Sequence, residues 1–205
     1  MKIVDGSVRR MLDALGSPDP TPGGGSASAL ASAAGASLLI MVAQLPKTRS
    51  GSDEDRAALT TASAALVRLR ETFIEAIDAD RAAYDRVVAA YKLPKATGDE
   101  QSARRDAIQR ALVVATEVPL SVVRASAEAL VHAAAVAALG NPSAASDVGV
   151  AVALLRAGAH GARLNVEINL GGLADKAYAE RMRRDVERAA ESATIDADKA
   201  VALLR

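Results

Sequence analysis

The chain has 205 residues, half of them hydrophobic, and its 25 basic side chains balance its 25 acidic ones. That composition supports one helical domain over residues 1–205 with a substantial core, and offers no net field to nucleic acid or an anionic membrane surface. The absence of cysteine excludes disulfides, thiolate metal sites and a cysteine nucleophile, and is compatible with the cytoplasm.

Aromatics make up only 2% of the chain, alanine is frequent, and long runs of Val, Ile, Thr and Tyr are missing. Helices are therefore predicted almost throughout, in an all-α bundle of about five to seven helices, several of them long. The start, Met1 to Asp5, lacks the apolar run of a signal peptide. A short helix is predicted over about Gly6 to Leu15, followed by a loop from Gly16 to Gly25. Within it, Thr21-Pro22-Gly23-Gly24-Gly25-Ser26 opens onto a helix. Consecutive glycines expose backbone N–H groups and a helix N-terminus adds positive potential, so this turn can cradle an anion. It reads equally as a flexible turn with Ser26 as helix N-cap.

From Ser26 to Gln44 the chain carries no charge over nineteen residues, close to the length of a membrane span. Its first half is Ala, Ser and Gly, which are weakly driven into lipid, so it reads as a helix buried in protein. Small residues there let neighbouring helices, of this chain or of a second subunit, approach closely. A polar linker, Pro46 to Asp53, breaks the pattern.

The next helix, roughly Glu54 to Tyr91, carries an apolar stripe: Leu66, Leu69, Phe73, Ile77, Tyr84, Val87 with Val88, and Tyr91. Asp80 falls on that stripe, whereas Asp78, Arg81 and Asp85 fall off it. A buried carboxylate is costly, so Asp80 is paired, protonated or working. After Leu93-Pro94 a further long helix is predicted from near Asp99 to about Leu139, which Pro119 should kink or split. Asn141 and Pro142 read as N-cap and first position of the following helix, which Gly171-Gly172 ends. Along it Asp147, Ala151, Leu154, Gly158, Ala162, Asn165 and Asn169 share one side. Two amides and a carboxylate among small groups suit either a polar ligand or hydrogen bonding between helices. The last helix runs over about Leu173 to Leu204. Its Arg181 to Arg184 patch is interleaved with acids and reads as a solvated face. The two histidines, His132 and His160, belong to no metal-ligand cluster, and neither GxSxG nor a Ser-His-Asp pattern occurs.

Several blocks are familiar in combination: Pro22-Gly23-Gly24-Gly25-Ser26 before the small-residue helix, and Asp80-x-x-x-Tyr84-Asp85 followed by Ala90-Tyr91-Lys92-Leu93-Pro94-Lys95. Ile108-Gln109-x-Ala111, Val118-Pro119-Leu120, Gly140-Asn141, Ser146-Asp147-Val148-Gly149 and Asn165-Val166-x-x-Asn169 complete the set. Together, over nearly the whole chain, they resemble the cyclodeaminase/cyclohydrolase family, which comprises the C-terminal domain of formiminotransferase-cyclodeaminase and stand-alone methenyltetrahydrofolate cyclohydrolases.

The resemblance implies an all-helical, dimeric folate enzyme with no metal and no cofactor beyond the tetrahydrofolate derivative that is its substrate. Cyclohydrolases of this kind add water to the amidinium carbon of 5,10-methenyltetrahydrofolate; cyclodeaminases close 5-formiminotetrahydrofolate and release ammonia. A chain without a transferase domain resembles the cyclohydrolase branch; the alternatives are the cyclodeaminase and a non-catalytic helical dimer that binds folate or another small molecule. Asp80, Asp147 and Lys95 are the implied catalytic groups: Asp80 as base, Asp147 as its partner or a ligand to the pterin amide edge, Lys95 as proton carrier or a solvated loop lysine. Pro22, Gly23, Gly24, Gly25, Ser26, Tyr84, Asn141, Asn165 and Asn169 are the implied substrate-binding residues, with Asn141 alternatively only a cap. One departure is plain. The family's Gly-Lys-Lys-x-Tyr-like stretch after the small-residue helix is replaced by Lys47-Thr48-Arg49-Ser50-Gly51-Ser52.

Overall fold

In the computed structural model, which describes residues 2–204, most helices start at a local polar cap. Ser7 caps α1 (Val8–Leu15) and Ser52 caps α3 (Asp53–Tyr91), each accepting a backbone N–H of the first turn. Thr97 and Glu100 form a reciprocal capping box at the start of α4 (Gly98–Leu139), and Asp175 caps α6 (Lys176–Ala202). Asn141 caps a single 3-10 turn, Pro142–Ala144, that leads into α5 (Ala145–Gly171). The remaining helix, α2 (Gly24–Ala43), begins two residues earlier than its sequence suggests and has Gly23 as N-cap. Six α-helices and no strand are found among the described residues, so the architecture is an all-α bundle.

The two longest helices, α3 and α4, form an antiparallel hairpin, each roughly 60 Å long at 1.5 Å per residue. Against it pack α2 and α5, themselves antiparallel, while α6 closes the bundle against α4 and α5. Phe73, Leu66 and Ile77 of α3, Leu120 and Leu130 of α4, and Leu39 and Leu155 of the α2–α5 layer are fully buried in one core. Helix C-termini are closed by arginines, where carbonyl dipoles favour cations. Arg56 donates to the carbonyls of Ala43 (3.2 Å), Leu45 (2.7 Å) and Pro46 (3.0 Å) after α2. Arg49, in the segment that departs from the family pattern, bonds the Ala137 carbonyl at 3.1 Å while its own N–H reaches Leu139 at 2.8 Å. It thereby ties that loop to the end of α4.

Pro119 does not split α4, which runs through it unbroken. A helical proline leaves the carbonyl four residues earlier without its donor, here that of Ala115. Asn169 of α5 supplies the missing hydrogen from Nδ2 at 2.6 Å. The middle of the polar line on α5 is a packing seam: Gly35 of α2 and Gly158 of α5 let the two backbones touch. A Cβ at Gly35 would lie 2.8 Å from the Ala151 carbonyl, and one at Gly158 would lie 2.7 Å from that of Ser28. Gly158→Val should therefore lower the unfolding free energy by about 1–3 kcal/mol, because a Cβ there meets the Ser32 hydroxyl and, behind it, backbone of Ser28 and Ser32 that cannot swing aside. Urea denaturation at constant m-value measures this; an unchanged midpoint would contradict the seam.

Candidate active site

The stripe on α3 is buried through Ile77 and surfaces beyond it, Tyr84 being 41% exposed. Asp80 stands at that boundary, half-buried, where α3 passes the start of α2. Its Oδ2 accepts two hydrogen bonds of 2.9 Å, from the backbone N–H and the hydroxyl of Ser26. The same hydroxyl also contacts the Ile77 carbonyl at 3.0 Å. Gly23 offers α2 no capping side chain, so a carboxylate from 54 residues away does that work. The glycine run has a steric reason as well. A Cβ on Gly25 would sit 2.8 Å from Oδ2 of Asp80 and closer still to Oδ1.

The anion held by this helix start is thus the protein's own. Ser26 lies inside the first turn as a donor to Asp80 instead of serving as the N-cap. Burial pushes the Asp80 carboxyl above its ordinary value of 3.8, while the hydroxyl and N–H of Ser26 pull in the opposite direction. A carboxylate whose basicity burial has raised, aimed by two donors, can act as a general base and as a counter-charge for a cation.

Asn165 joins this end of the bundle: its Nδ2 lies 3.7 Å from the position of a Cβ on Gly24 and donates to the Gly161 carbonyl at 2.9 Å. Asn169, one turn on, has one amide hydrogen committed to Ala115. Pro22 and Gly23 precede the same helix start in the chain, and Tyr84 lies one turn beyond Asp80 on α3. The remaining sequence-derived candidates lie elsewhere in the molecule. Asn141 accepts the Ser143 N–H at 3.0 Å as a cap, and Asp147 sits in the first turn of α5. Eighteen residues of helix, roughly 27 Å, separate Asp147 from Asn165. Lys95 is exposed in the α3–α4 turn, beyond eleven further residues of α3 or roughly 16 Å from Asp80.

One residue of the Ile108-Gln109 block, given no role from the sequence, ties down the neighbouring turn. Gln109 of α4 clamps the α5–α6 turn, donating to Gly172 at 3.1 Å and accepting the Ala174 N–H at 2.7 Å. The one available signal for the Asn169 bond is Pro119 itself, which marks the Ala115 carbonyl as needing a donor without saying from where.

The site is thus a half-buried carboxylate bound to a glycine-rich helix start within an all-helical bundle. The formiminotransferase-cyclodeaminase family model matches residues 7–188, and the chain belongs to that family. Methenyltetrahydrofolate cyclohydrolase of Methylorubrum extorquens is 41% identical over 181 residues, covering 88% of this chain and 87% of its own length. Formimidoyltransferase-cyclodeaminase of Rattus norvegicus is 34% identical over 121 residues, 59% of this chain but 22% of that much longer protein. The crystal structure of formiminotetrahydrofolate cyclodeaminase from Thermotoga maritima superposes with a TM-score of 0.86 at 25% identity, covering 97% of this chain and 95% of that one. The family resemblance carried by the sequence blocks is borne out.

Two outcomes test this geometry. Asn169→Ala should cost about 1–3 kcal/mol by stranding the Ala115 carbonyl. In a Pro119→Ala background, where the helix supplies its own donor, the loss should shrink; equal losses in both backgrounds would show that the two residues are not coupled. For Asp80, a raised native value means that folding favours the protonated form, so the group's contribution to stability falls as pH rises from 3.8 through the native value. Asp80→Asn should therefore leave the melting temperature at pH 7 unchanged or raised. A fall of several degrees would show that the charged carboxylate stabilises the fold.

Proposed function

We propose that this protein hydrolyses 5,10-methenyltetrahydrofolate to 10-formyltetrahydrofolate, acting in the cytoplasm as a homodimer. The observation that carries the reading is the Asp80 carboxylate, raised in basicity by burial and aimed by Ser26 at the mouth of the glycine turn. The reacting amidinium is cationic, so an adjacent carboxylate stabilises it electrostatically. Ionised Asp80 takes a proton from water as the water oxygen bonds to the amidinium carbon, giving a tetrahedral carbon between N5 and N10. The bond from that carbon to N5 then breaks as N5 accepts a proton, leaving a formyl group on N10 and one proton released to solvent. Asn165, Tyr84 and the turn from Pro22 to Ser26 are the groups offered to the pterin at this end of the bundle. The 41% identical relative, matched over nearly its full length, supports hydrolysis as the reaction.

A second reading is closure of 5-formiminotetrahydrofolate with loss of ammonia, favoured by the similarity in fold to the Thermotoga maritima cyclodeaminase. The same base would then serve N10 in place of water. Absorbance decay of the methenyl substrate, corrected for spontaneous hydrolysis, tests the first; ammonia release from the formimino substrate tests the second. Asp80→Asn should lose at least about 100-fold in kcat, the usual scale of a general base, and full turnover by this variant would sink the role given to Asp80.

The acid limb of kcat/KM should lie above 3.8, because the base must be ionised and burial has raised it. Ser26→Ala removes a hydroxyl that holds the carboxyl down, so its acid limb should move to higher pH. A pH–rate profile that does not move would dissociate Ser26 from the base.

A further inference from the structure

Two helices run on past the layer that packs against them. α2 begins at Gly24, beside Asp80, and α5 ends at Gly171. A Cβ on Gly172, just past that end, would lie 3.0 Å from Leu112 of α4. Beyond these points α3 continues from Asp80 to Tyr91 and α4 returns from Gly98, so the hairpin projects by about three turns, roughly 16 Å. Helical spacing sets the inner side of this projection. Asp80, Tyr84, Val87 and Tyr91 follow at steps of three and four on the side of α3 that carries Phe73 and Ile77 into the core. Arg105, Ile108 and Leu112 do the same on the side of α4 that meets the end of α5. The two rows form a ledge with Asp80 in its inner corner.

The chemistry of the ledge changes along its length. Next to Asp80 it is aromatic and apolar, with Tyr84 41% exposed and Val87 half-buried. At the tip it is basic: a cleft of about 240 Å³ is lined by Lys95, Gln101, Arg104 and Arg105, with no acid among them. Arg104 is held in place, donating to the Tyr91 carbonyl from Nε at 3.2 Å and from Nη2 at 3.0 Å, its guanidinium 5.5 Å from the centre of the Tyr91 ring. The neighbouring acid, Glu100, is taken up by the cap of α4, where it accepts the N–H groups of Ala96 and Thr97. The side chains of Lys95 and Arg105 make no hydrogen bond or ion pair among the described residues. An aryl-sized apolar floor leading to two unpaired cations suits an elongated ligand with a ring in its middle and carboxylates at its end.

Resting on the reaction proposed above, we infer that this ledge binds the aminobenzoyl-glutamate arm of the folate, with the ring on Tyr84 and Val87 and the glutamate carboxylates on Arg105 and Lys95. The lengths agree. From the reacting carbon to the far carboxylate an extended arm spans about 13 Å at standard bond lengths, and Lys95 and Arg105 reach back toward Asp80 from a tip roughly 16 Å away. The charges agree too, since a dianion meets two cations whose side chains are otherwise unsatisfied. Lys95 is then a group that holds the substrate and carries no proton in the reaction, which accounts for its distance from Asp80.

Kinetics with full-length and shortened substrate test the assignment. Arg105→Ala should raise KM for 5,10-methenyltetrahydrofolate about tenfold or more with little change in kcat, the signature of binding lost equally from ground and transition states. Lys95→Ala should do the same, whereas a proton carrier would show its loss in kcat. For 5,10-methenyltetrahydropteroate, whose arm stops at the benzoate and falls short of the tip, Arg105→Ala should match the wild type. Arg110→Ala removes the same charge from the opposite side of α4, in the cleft that Arg110 shares with Arg86, and should match the wild type with both substrates. An Arg105→Ala variant that loses equally on both substrates, or on neither, would overturn the ledge as the arm's site.

A second readout needs no turnover. Equilibrium dialysis should show the wild type holding folic acid about tenfold or more tightly than pteroic acid, and Arg105→Ala holding the two alike. A protein inert toward both the methenyl and the formimino substrates that still prefers folic acid through Arg105 would overturn the reaction and support the ledge. Turnover of the methenyl substrate without that preference would overturn the ledge and leave the reaction. Sedimentation of Arg105→Ala as a smaller species than the wild type would show that another chain covers the ledge, which would also overturn it.

Discussion

The bond between Asp80 and the first turn of α2 is the constraint on which the rest of this structure turns. It joins two helices through one carboxyl group, satisfies the Ser26 N–H that the glycine turn cannot cap for itself, and leaves that group half-buried. Each neighbouring choice follows from it. Gly25 is bare because the carboxylate occupies the space of its side chain. Ser26 contributes both of its donors to the same oxygen. The apolar stripe of α3 ends one turn earlier and leaves Asp80 half-buried, and that burial raises its carboxyl.

The α2–α5 layer serves that bond by holding α2 rigidly along its length. Backbone contact at Gly35 and Gly158 leaves no slack for the helix to slide, and Arg56 fixes its far end. The proline in α4 has a local solution of the same kind: an amide on α5 replaces the donor that proline lacks. Asn169 therefore couples α4 to α5 at the level of the active centre.

Much of the fold was legible in the sequence because the signals are local. The cap at Asn141 and the glycine stop after Leu170 were read from such signals, and the caps at Ser7, Ser52 and Thr97, which were not singled out, act in the same way through bonds within three residues. The stripe from Leu66 to Ile77 is buried as its period requires. Asp80 was legible as an anomaly on that stripe. Its partner was not, since Ser26 lies 54 residues away and equally resembles an ordinary N-cap. The polar line on α5 misled for a related reason: periodicity identifies a side of a helix but not what covers it, and here α2 covers the middle.

By itself, the sequence determined the helical class, the order and approximate limits of the elements, the family and the one carboxylate out of place on an apolar face. These depend on periodicity, capping chemistry and composition, all written within a few residues of one another. Only the tertiary structure decided that Asp80 caps α2, that Asn169 stands in for the donor missing at Pro119, and that Asp147 lies some five turns from Asn165 in the same chain. Those facts depend on which helices meet and in which direction, and a non-local hydrogen bond leaves no mark on the spacing of either of its ends.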